Sequence, residues 1–148
     1  MNPYNNKLET YKTTTLSNLG PGEQVATLLN SAAKNIYSAH AAMLNHDHES
    51  RTKFSEMSIM ILEGLANVLE VGDSSQEPIA KELENYYMAM ITMIGRMNIM
   101  NDVKVCESIG RSLEQMAQTW IAGQRDLLKI NTQDLVSKTN NESVNFSA

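Results

Sequence analysis

Apolar residues recur at helical spacing, three and four positions apart, in four separate stretches of the chain. Pro21 stands where a helix can begin, because the first turn of a helix leaves its amide protons unused. Short connections force neighbouring helices to run antiparallel, so the pattern predicts an all-α fold, an antiparallel four-helix bundle over residues 21–128. The predicted helices cover about residues 21–43, 50–71, 77–100 and 102–128.

Polar residues dominate both ends of the chain. Residues 1–20 are rich in threonine and asparagine and carry isolated apolar side chains at Tyr4, Tyr11 and Leu16. They predict an extended N-terminal segment, or a short fifth helix, against the bundle. Residues 129–148 offer few apolar side chains to bury, so they predict a frayed, flexible C-terminal tail.

The charge balance of the 148-residue chain argues against several classes of partner. The formal net charge is −5, and no basic run exists to neutralise the phosphates of a nucleic acid or of an anionic membrane. No stretch of about 18 apolar residues is present to insert into a membrane. Cys106 is the single cysteine, which fits a reducing compartment, and the first fifteen residues lack the apolar core of a signal peptide. We therefore expect a cytoplasmic protein.

Candidate catalytic and metal-binding motifs are weak. The run from His46 to Glu49 resembles a metal cluster, but two histidines two positions apart rarely close a site alone. No Glu-x-x-His motif of the di-metal bundles occurs, and no histidine lies near Cys106 in sequence. Gly20-Pro21-Gly22 lacks the further glycines and the lysine of a phosphate loop. We predict no catalytic residue, no metal, no cofactor and no enzymatic activity.

Methionine is concentrated on the third predicted helix. Five of the chain's ten methionines fall within residues 86–100, beside Tyr86 and Tyr87, and this stretch is apolar around most of its circumference. Two interpretations stay open: methionine as filler of an aliphatic core, or a methionine-rich groove that accepts an amphipathic helix. A haem or flavin site would need ligands that the stretch lacks. The remaining rivals are a cofactor-binding bundle enzyme and a structural module that packs with another partner or with itself.

Short motifs in a fixed order carry a resemblance to a known family. The chain opens with Asn2-Pro3-Tyr4, and the third helix contains Tyr86-Tyr87-Met88 and then Asn98. The other matching positions are Tyr11, Leu16, Pro21, Asn101-Asp102 and Trp120. Over about residues 2 to 121 the chain resembles the flagellar export chaperone family FliS.

The resemblance implies a compact helical bundle that binds the C-terminal segment of flagellin in apolar grooves. Binding would prevent premature polymerisation and assist delivery to the flagellar type III secretion apparatus. Other flagellar regulators or export components are further partners that it suggests. The excess of apolar surface on the second and third helices leads us to predict a flagellin groove formed by Leu28, Leu29, Ala32, Ile61, Leu65, Val68, Tyr87, Met88, Met90, Ile91, Met93, Met97, Asn98 and Asp102. The resemblance also implies an N-terminal plug over the bundle, formed by Tyr4, Tyr11 and Leu16.

Overall fold

The computed structural model describes residues 19–69 and 77–123, and these residues form four α-helices and no strand. This confirms the predicted all-α bundle. The predicted N-terminal plug, the end of the last helix at residue 128 and the tail lie outside the described residues. The helices are α1 Pro21–Leu44, α2 His48–Val68, α3 Glu77–Met100 and α4 103–123.

Buried and half-buried hydrogen bonds fix how α2 lies against its two neighbours. The hydroxyl of Ser58 donates to the Ala32 carbonyl oxygen of α1 at 2.6 Å, and Ser58 is fully buried. On its other side, Thr52 donates to Oδ1 of Asn98 on α3 at 3.1 Å. Each bond satisfies a polar group that would otherwise lose its hydrogen bond to water on burial. Thr52 near the start of α2 meets Asn98 near the end of α3, so these two helices run antiparallel. The three residues between α1 and α2 leave room only for an antiparallel arrangement of that pair.

The fourth helix closes the ring by packing against α3 and α1. The hydroxyl of Tyr86 on α3 lies 3.2 Å from the carbonyl oxygen of Ser112 and 3.0 Å from its hydroxyl. On the α1 side, the ring of Tyr37 packs on Gly110 so closely that a Cβ at Gly110 would lie 2.5 Å from Cζ of the ring. The helices are therefore neighbours in the order α1, α2, α3, α4, and α1 lies diagonally opposite α3.

The turns between α1 and α2 and between α3 and α4 are built in the same way. His46 and Asn101 adopt the left-handed conformation, with φ of 57° and 52°. The backbone amide of the next residue in each turn donates a hydrogen bond to the preceding helix. Asp47 donates to the Ala42 carbonyl at 2.9 Å, and Asp102 donates to the Met97 carbonyl at 3.0 Å. The same two aspartates then cap the following helix, because Asp47 accepts from the Ser50 amide and Asp102 from the Lys104 amide.

The helix boundaries agree closely with the sequence prediction except at the two ends of the second helix, which ends at Val68, three residues before the predicted Val71. The start and end of α3 are those predicted, and α1 begins at Pro21 as expected. The second helix begins at His48, two residues before the predicted Ser50. The reason is the cap, since the Asp47 side chain accepts from the Ser50 amide and so draws His48 and Glu49 into the first turn.

Candidate partner-binding surface

The methionines of α3 divide into a buried and an exposed set. Met90 and Met97 belong to the core of the bundle. Met88, Met93 and Met100 keep 50%, 37% and 65% of their surface exposed. The core therefore uses two of the five, and the other three contribute to an apolar outer surface that bundle packing does not require.

The structure places the fourteen predicted groove residues in three environments. Those with side chains buried in the bundle are Leu28, Leu29, Ala32, Ile61, Leu65, Tyr87, Met90 and Met97. Those left exposed are Val68, Met88, Met93 and Asp102, and those half-buried are Ile91 and Asn98. A partner approaching the bundle as it stands meets the exposed and half-buried groups, while the buried ones support them from beneath. Contact of any of the fourteen with a partner stays a prediction.

The exposed apolar residues of α3 form two rows rather than one. Met88 and Ile99 are eleven residues apart, and Met93 and Met100 are seven apart, so within each pair the two positions differ by only about 20° around the helix axis. Met88 and Met93 are five residues apart and differ by about 140°. A single partner helix lying along α3 therefore contacts one row or the other.

Two hydrogen bonds between helices show which row lies beside which neighbour. Ile91 is seven residues before Asn98 and shares its side of α3, and Asn98 accepts from Arg51 and Thr52 of α2. Met88 lies about 60° and Ile99 about 80° from Ile91 around the axis, toward solvent, so their row forms the outer edge of the groove between α2 and α3.

The second row borders the opposite groove. Met93 is seven residues after Tyr86 and shares its side of the helix, about 20° away. The Tyr86 hydroxyl contacts Ser112 of α4. The row of Met93 and Met100 therefore lies beside α4.

The two predicted polar contacts of the groove already have structural roles. Oδ1 of Asn98 accepts from Nε of Arg51 at 2.9 Å and from the Thr52 hydroxyl at 3.1 Å. Asp102 caps α4 by accepting from the Lys104 amide at 3.2 Å. The Asn98 side-chain amide still carries donor capacity that a partner could use, because both of these bonds involve only its oxygen.

The tyrosine pair of α3 is part of the bundle packing. The rings of Tyr86 and Tyr87 meet edge to face, with centroids 5.8 Å apart and an angle of 63° between the planes. Burial raises the pKa of Tyr87 to about 12, against a smaller opposing effect of the nearby Trp120. The indole Nε1 of Trp120 is itself buried and makes no hydrogen bond to a described residue, so we regard the two as close neighbours and not as a bonded pair.

Within residues 19–69 and 77–123, the chemistry-bearing side chains do not converge on a reaction centre. Burial raises the pKa of the Cys106 thiol to about 11, and the thiol lies 3.6 Å from the sulfur of Met43. A buried thiol held neutral is a poor nucleophile. His48, from the candidate metal run, lies in the first turn of α2 with Nδ1 2.9 Å from Nη1 of Arg51.

The described residues contain neither a metal-binding cluster nor a membrane-spanning helix. Nowhere in residues 19–69 and 77–123 do three histidine, cysteine, aspartate or glutamate side chains gather as they would around a metal ion. None of the helices in that part of the chain has the length and apolarity needed to cross a membrane.

The sequence prediction missed two features of this surface, the contacts of Arg51 and the exposed Ile99. Arg51 bonds to Asn98 and, through Nη1 at 3.0 Å, to Oδ1 of Asn101, partners that lie 47 and 50 residues away. No local pattern signals contacts at such separations. Ile99 is 83% exposed, and the spacing Met88, Ile91, Gly95, Ile99 was a detectable signal of an apolar row.

Comparison with known proteins bears on the whole bundle. No curated protein matches the chain. The family described as "Flagellar protein FliS" matches residues 4–125, a span that contains all four helices and both exposed rows of α3. Because the match extends over most of the 148 residues, the chain belongs to the FliS family of flagellar export chaperones.

Proposed function

We propose that the protein is a cytoplasmic export chaperone that binds the C-terminal segment of flagellin. Binding covers the apolar face of that segment, prevents premature polymerisation, and keeps the subunit ready for the flagellar type III secretion apparatus. Family membership supports the chaperone role. The exposed apolar surface of α3 supports a partner with an apolar face, because Met88, Ile99 and Met100 are half or more exposed.

The dimensions of this surface suit a helix. Met88 and Ile99 are separated by eleven residues, or about 16 Å at a rise of 1.5 Å per residue. That is three turns, enough to present the apolar stripe of a short amphipathic helix with several anchors. Apolar patches of this kind on a monomer mark interaction sites, and leaving them uncovered would favour aggregation.

Methionine suits a chaperone surface for a physical reason. Its side chain is unbranched and polarisable, so it can fill gaps of irregular shape in a partner that folds as it binds. A flagellin segment that orders on binding would bury on the order of 1,000–3,000 Å² and would lose a few kcal/mol in ordering. Such a complex is specific and still separable, which export requires.

The test is binding of the purified flagellin C-terminal segment, followed by size-exclusion chromatography and calorimetry. We expect a stable complex with wild type and an affinity at least about tenfold lower for Met88→Glu, since a charge replaces an apolar anchor worth about 1.5–3 kcal/mol. Gln118→Glu is the control, because Gln118 is exposed on α4, away from both rows of α3. We expect it to bind within about twofold of wild type.

The variants also separate the possible failures. Absence of any complex with wild-type protein would contradict the flagellin proposal. A complex that Met88→Glu leaves intact, with Met93→Glu weakening it, would move the surface to the α4 side of α3. Circular dichroism of each variant checks that the bundle is folded. Met90→Glu is unsuitable, because Met90 is buried and a charge there would test stability.

A further inference from the structure

The groove between α2 and α3 has an apolar side that belongs to α3. Met88, Ile91, Gly95 and Ile99 follow one another at intervals of three, four and four residues, so they share one side of the helix. Ile91 packs against the core and forms the base of this side, while Met88 and Ile99 stand exposed. A Cβ added to Gly95 would meet nothing within 4 Å. The middle of the row is therefore open space into which another backbone could approach closely.

The side contributed by α2 is acidic. Thr52, Glu56, Ile59 and Glu63 follow at intervals of four, three and four residues, and the bond from Thr52 to Asn98 shows that this row borders α3. Ile59 is half-buried against the core. Glu56 and Glu63 are exposed, and neither forms an ion pair or hydrogen bond to another described residue.

Two cations near this groove are already engaged, and Arg96 is exposed on α3 about 80° from Met88 around the helix axis, outside the groove. Lys81, seven residues before Met88 and on the same side of α3, lies 3.6 Å from Glu84 one turn further along the same helix. Arg51, at the end of the groove, is bonded to Asn98 and Asn101. The two carboxylates of α2 thus face the open groove without a neutralising partner among these residues, and they stand seven residues, or about 10 Å, apart along one wall.

We propose that the flagellin segment docks in the groove between α2 and α3 as a helix with one apolar face and lysine or arginine residues along one edge, and that these pair with Glu56 and Glu63. The inference rests on the proposed function for the identity of the occupant. The apolar face would lie on Met88, Ile91 and Ile99, and the open position at Gly95 admits the helix backbone. The basic edge fixes both the groove that is used and the direction of the helix within it.

Charge argues against a second copy of the chain as the occupant. Two copies meeting through this groove would bring four carboxylates together, because Glu56 and Glu63 would be present on both sides. Each chain also carries a net charge of −5. Like charges placed opposite each other in an interface disfavour the pairing. A partner with basic residues turns the same two glutamates into attractive contacts.

The experiment measures binding of the flagellin C-terminal segment to the double variant Glu56→Gln/Glu63→Gln by calorimetry, at about 50 mM and about 300 mM NaCl. At low salt we expect an affinity about three- to tenfold lower than that of wild type, and the difference should shrink at high salt. The corresponding double lysine variant should bind more weakly still. Glu82→Gln is the matched control, since Glu82 is exposed on α3 but outside this groove, and it should change affinity by less than about twofold.

A second variant tests the position of the helix independently of charge. Gly95→Leu places a side chain in the open middle of the groove, and we expect binding to weaken at both salt concentrations while the bundle stays folded. Wild-type affinity for Gly95→Leu would overturn the placement in this groove.

The outcomes distinguish this inference from the proposed function. If wild type fails to bind the flagellin segment, the proposed function is wrong, and flagellin is also excluded as the occupant of this groove. If wild type binds and the double glutamine variant binds equally well at both salt concentrations, the chaperone function stands and the basic edge is wrong. Self-association of wild type that the double lysine variant abolishes would show that the groove joins two copies, which would also overturn the proposal.

Discussion

The contact between Tyr37 and Gly110 makes the sharpest prediction about the stability of the bundle. Helix α4 approaches α1 at this point without a side chain between its backbone and the tyrosine ring. The substitution Gly110→Ala would place a Cβ 2.5 Å from Cζ, 2.6 Å from Cε1 and 2.8 Å from the hydroxyl oxygen of Tyr37. Because carbon atoms in contact normally lie about 3.5–4.0 Å apart, the ring or the helix must move by about 1 Å.

Two opposing effects determine the size of the change. Overpacking costs about 1–3 kcal/mol of unfolding free energy, and the low end is expected here because the atoms met are the outer end of the half-exposed Tyr37 side chain, which can swing aside. Alanine is a better helix former than glycine by about 1 kcal/mol, which partly offsets the clash. The net loss for Gly110→Ala is therefore about 0–2 kcal/mol. Gly64 and Gly95 are matched controls, because they also lie within helices and a Cβ at either would meet nothing within 4 Å.

The assay is urea unfolding followed by circular dichroism. We expect Gly64→Ala and Gly95→Ala each to raise the free energy of unfolding by about 0.5–1 kcal/mol. Since the gain in helix propensity is common to all three variants, the gap between Gly110→Ala and the controls measures the clash, about 1–3 kcal/mol. In a Tyr37→Ala background the ring is gone, and Gly110→Ala should become stabilising.

Two results would refute this reasoning. Equal stabilisation by all three alanine variants would mean that Tyr37 moves aside at no cost and that the close approach is not required. Gly110→Ala could also lower the free energy of unfolding of the Tyr37→Ala variant by as much as it lowers that of wild type. The two positions would then not be coupled, and the destabilisation would have a source other than the tyrosine ring.

The remaining predictions concern the turns, the Arg51 contacts and the buried thiol. His46→Gly should raise the free energy of unfolding by about 0.5–1 kcal/mol in urea titrations, since glycine relieves the left-handed strain. Asn101→Gly should gain less, because Asn101 also accepts a bond from Arg51. Arg51→Ala should lower thermal stability by the equivalent of about 1–2 kcal/mol. Arg111→Ala, which loses an exposed ion pair and an exposed hydrogen bond to Glu107 within α4, should cost less than about 0.5 kcal/mol. The pKa of the Cys106 thiol is raised from 9.0 to about 11, so its contribution to stability is present below pH 9 and lost as the pH rises toward 11. Between pH 9 and pH 11, the free energy of unfolding measured in urea should therefore fall less for Cys106→Ala than for wild type. An equal fall in both proteins would contradict this.

The helices were predictable from sequence because each carries a local signal. The apolar spacing, Pro21 at the first turn and the aspartate before α4 all act within a few residues, and the structure places α1 and α3 accordingly. The start of α2 was predicted two residues too late, because the polar run around His46 is typical of a loop. Its aspartate, Asp47, in fact caps the helix. Local signals therefore predict elements well and can miss a cap hidden in a polar run.

The surface was less predictable than the fold, because exposure depends on neighbours that are distant in sequence. Periodicity shows that α3 is apolar on most sides, but it cannot say that Met90 faces the core and Met88 the solvent. That distinction follows from where α2 and α4 lie. Asn98 illustrates the same limit: it was predicted as a partner contact, and its oxygen is bonded to Arg51, 47 residues away.

The two matched turns have a consequence for the kinetics of folding. Each joins its helices through three or fewer residues and is closed by bonds between near neighbours, from Asp47 to Ala42 and from Asp102 to Met97. Each pair of helices is thus a hairpin that can form without waiting for distant parts of the chain, and such local closure is fast. We therefore expect docking of the two hairpins, through pairs such as Thr52 with Asn98, to set the folding time. A chaperone that must meet its substrate soon after synthesis benefits from reaching its native state by so short a route.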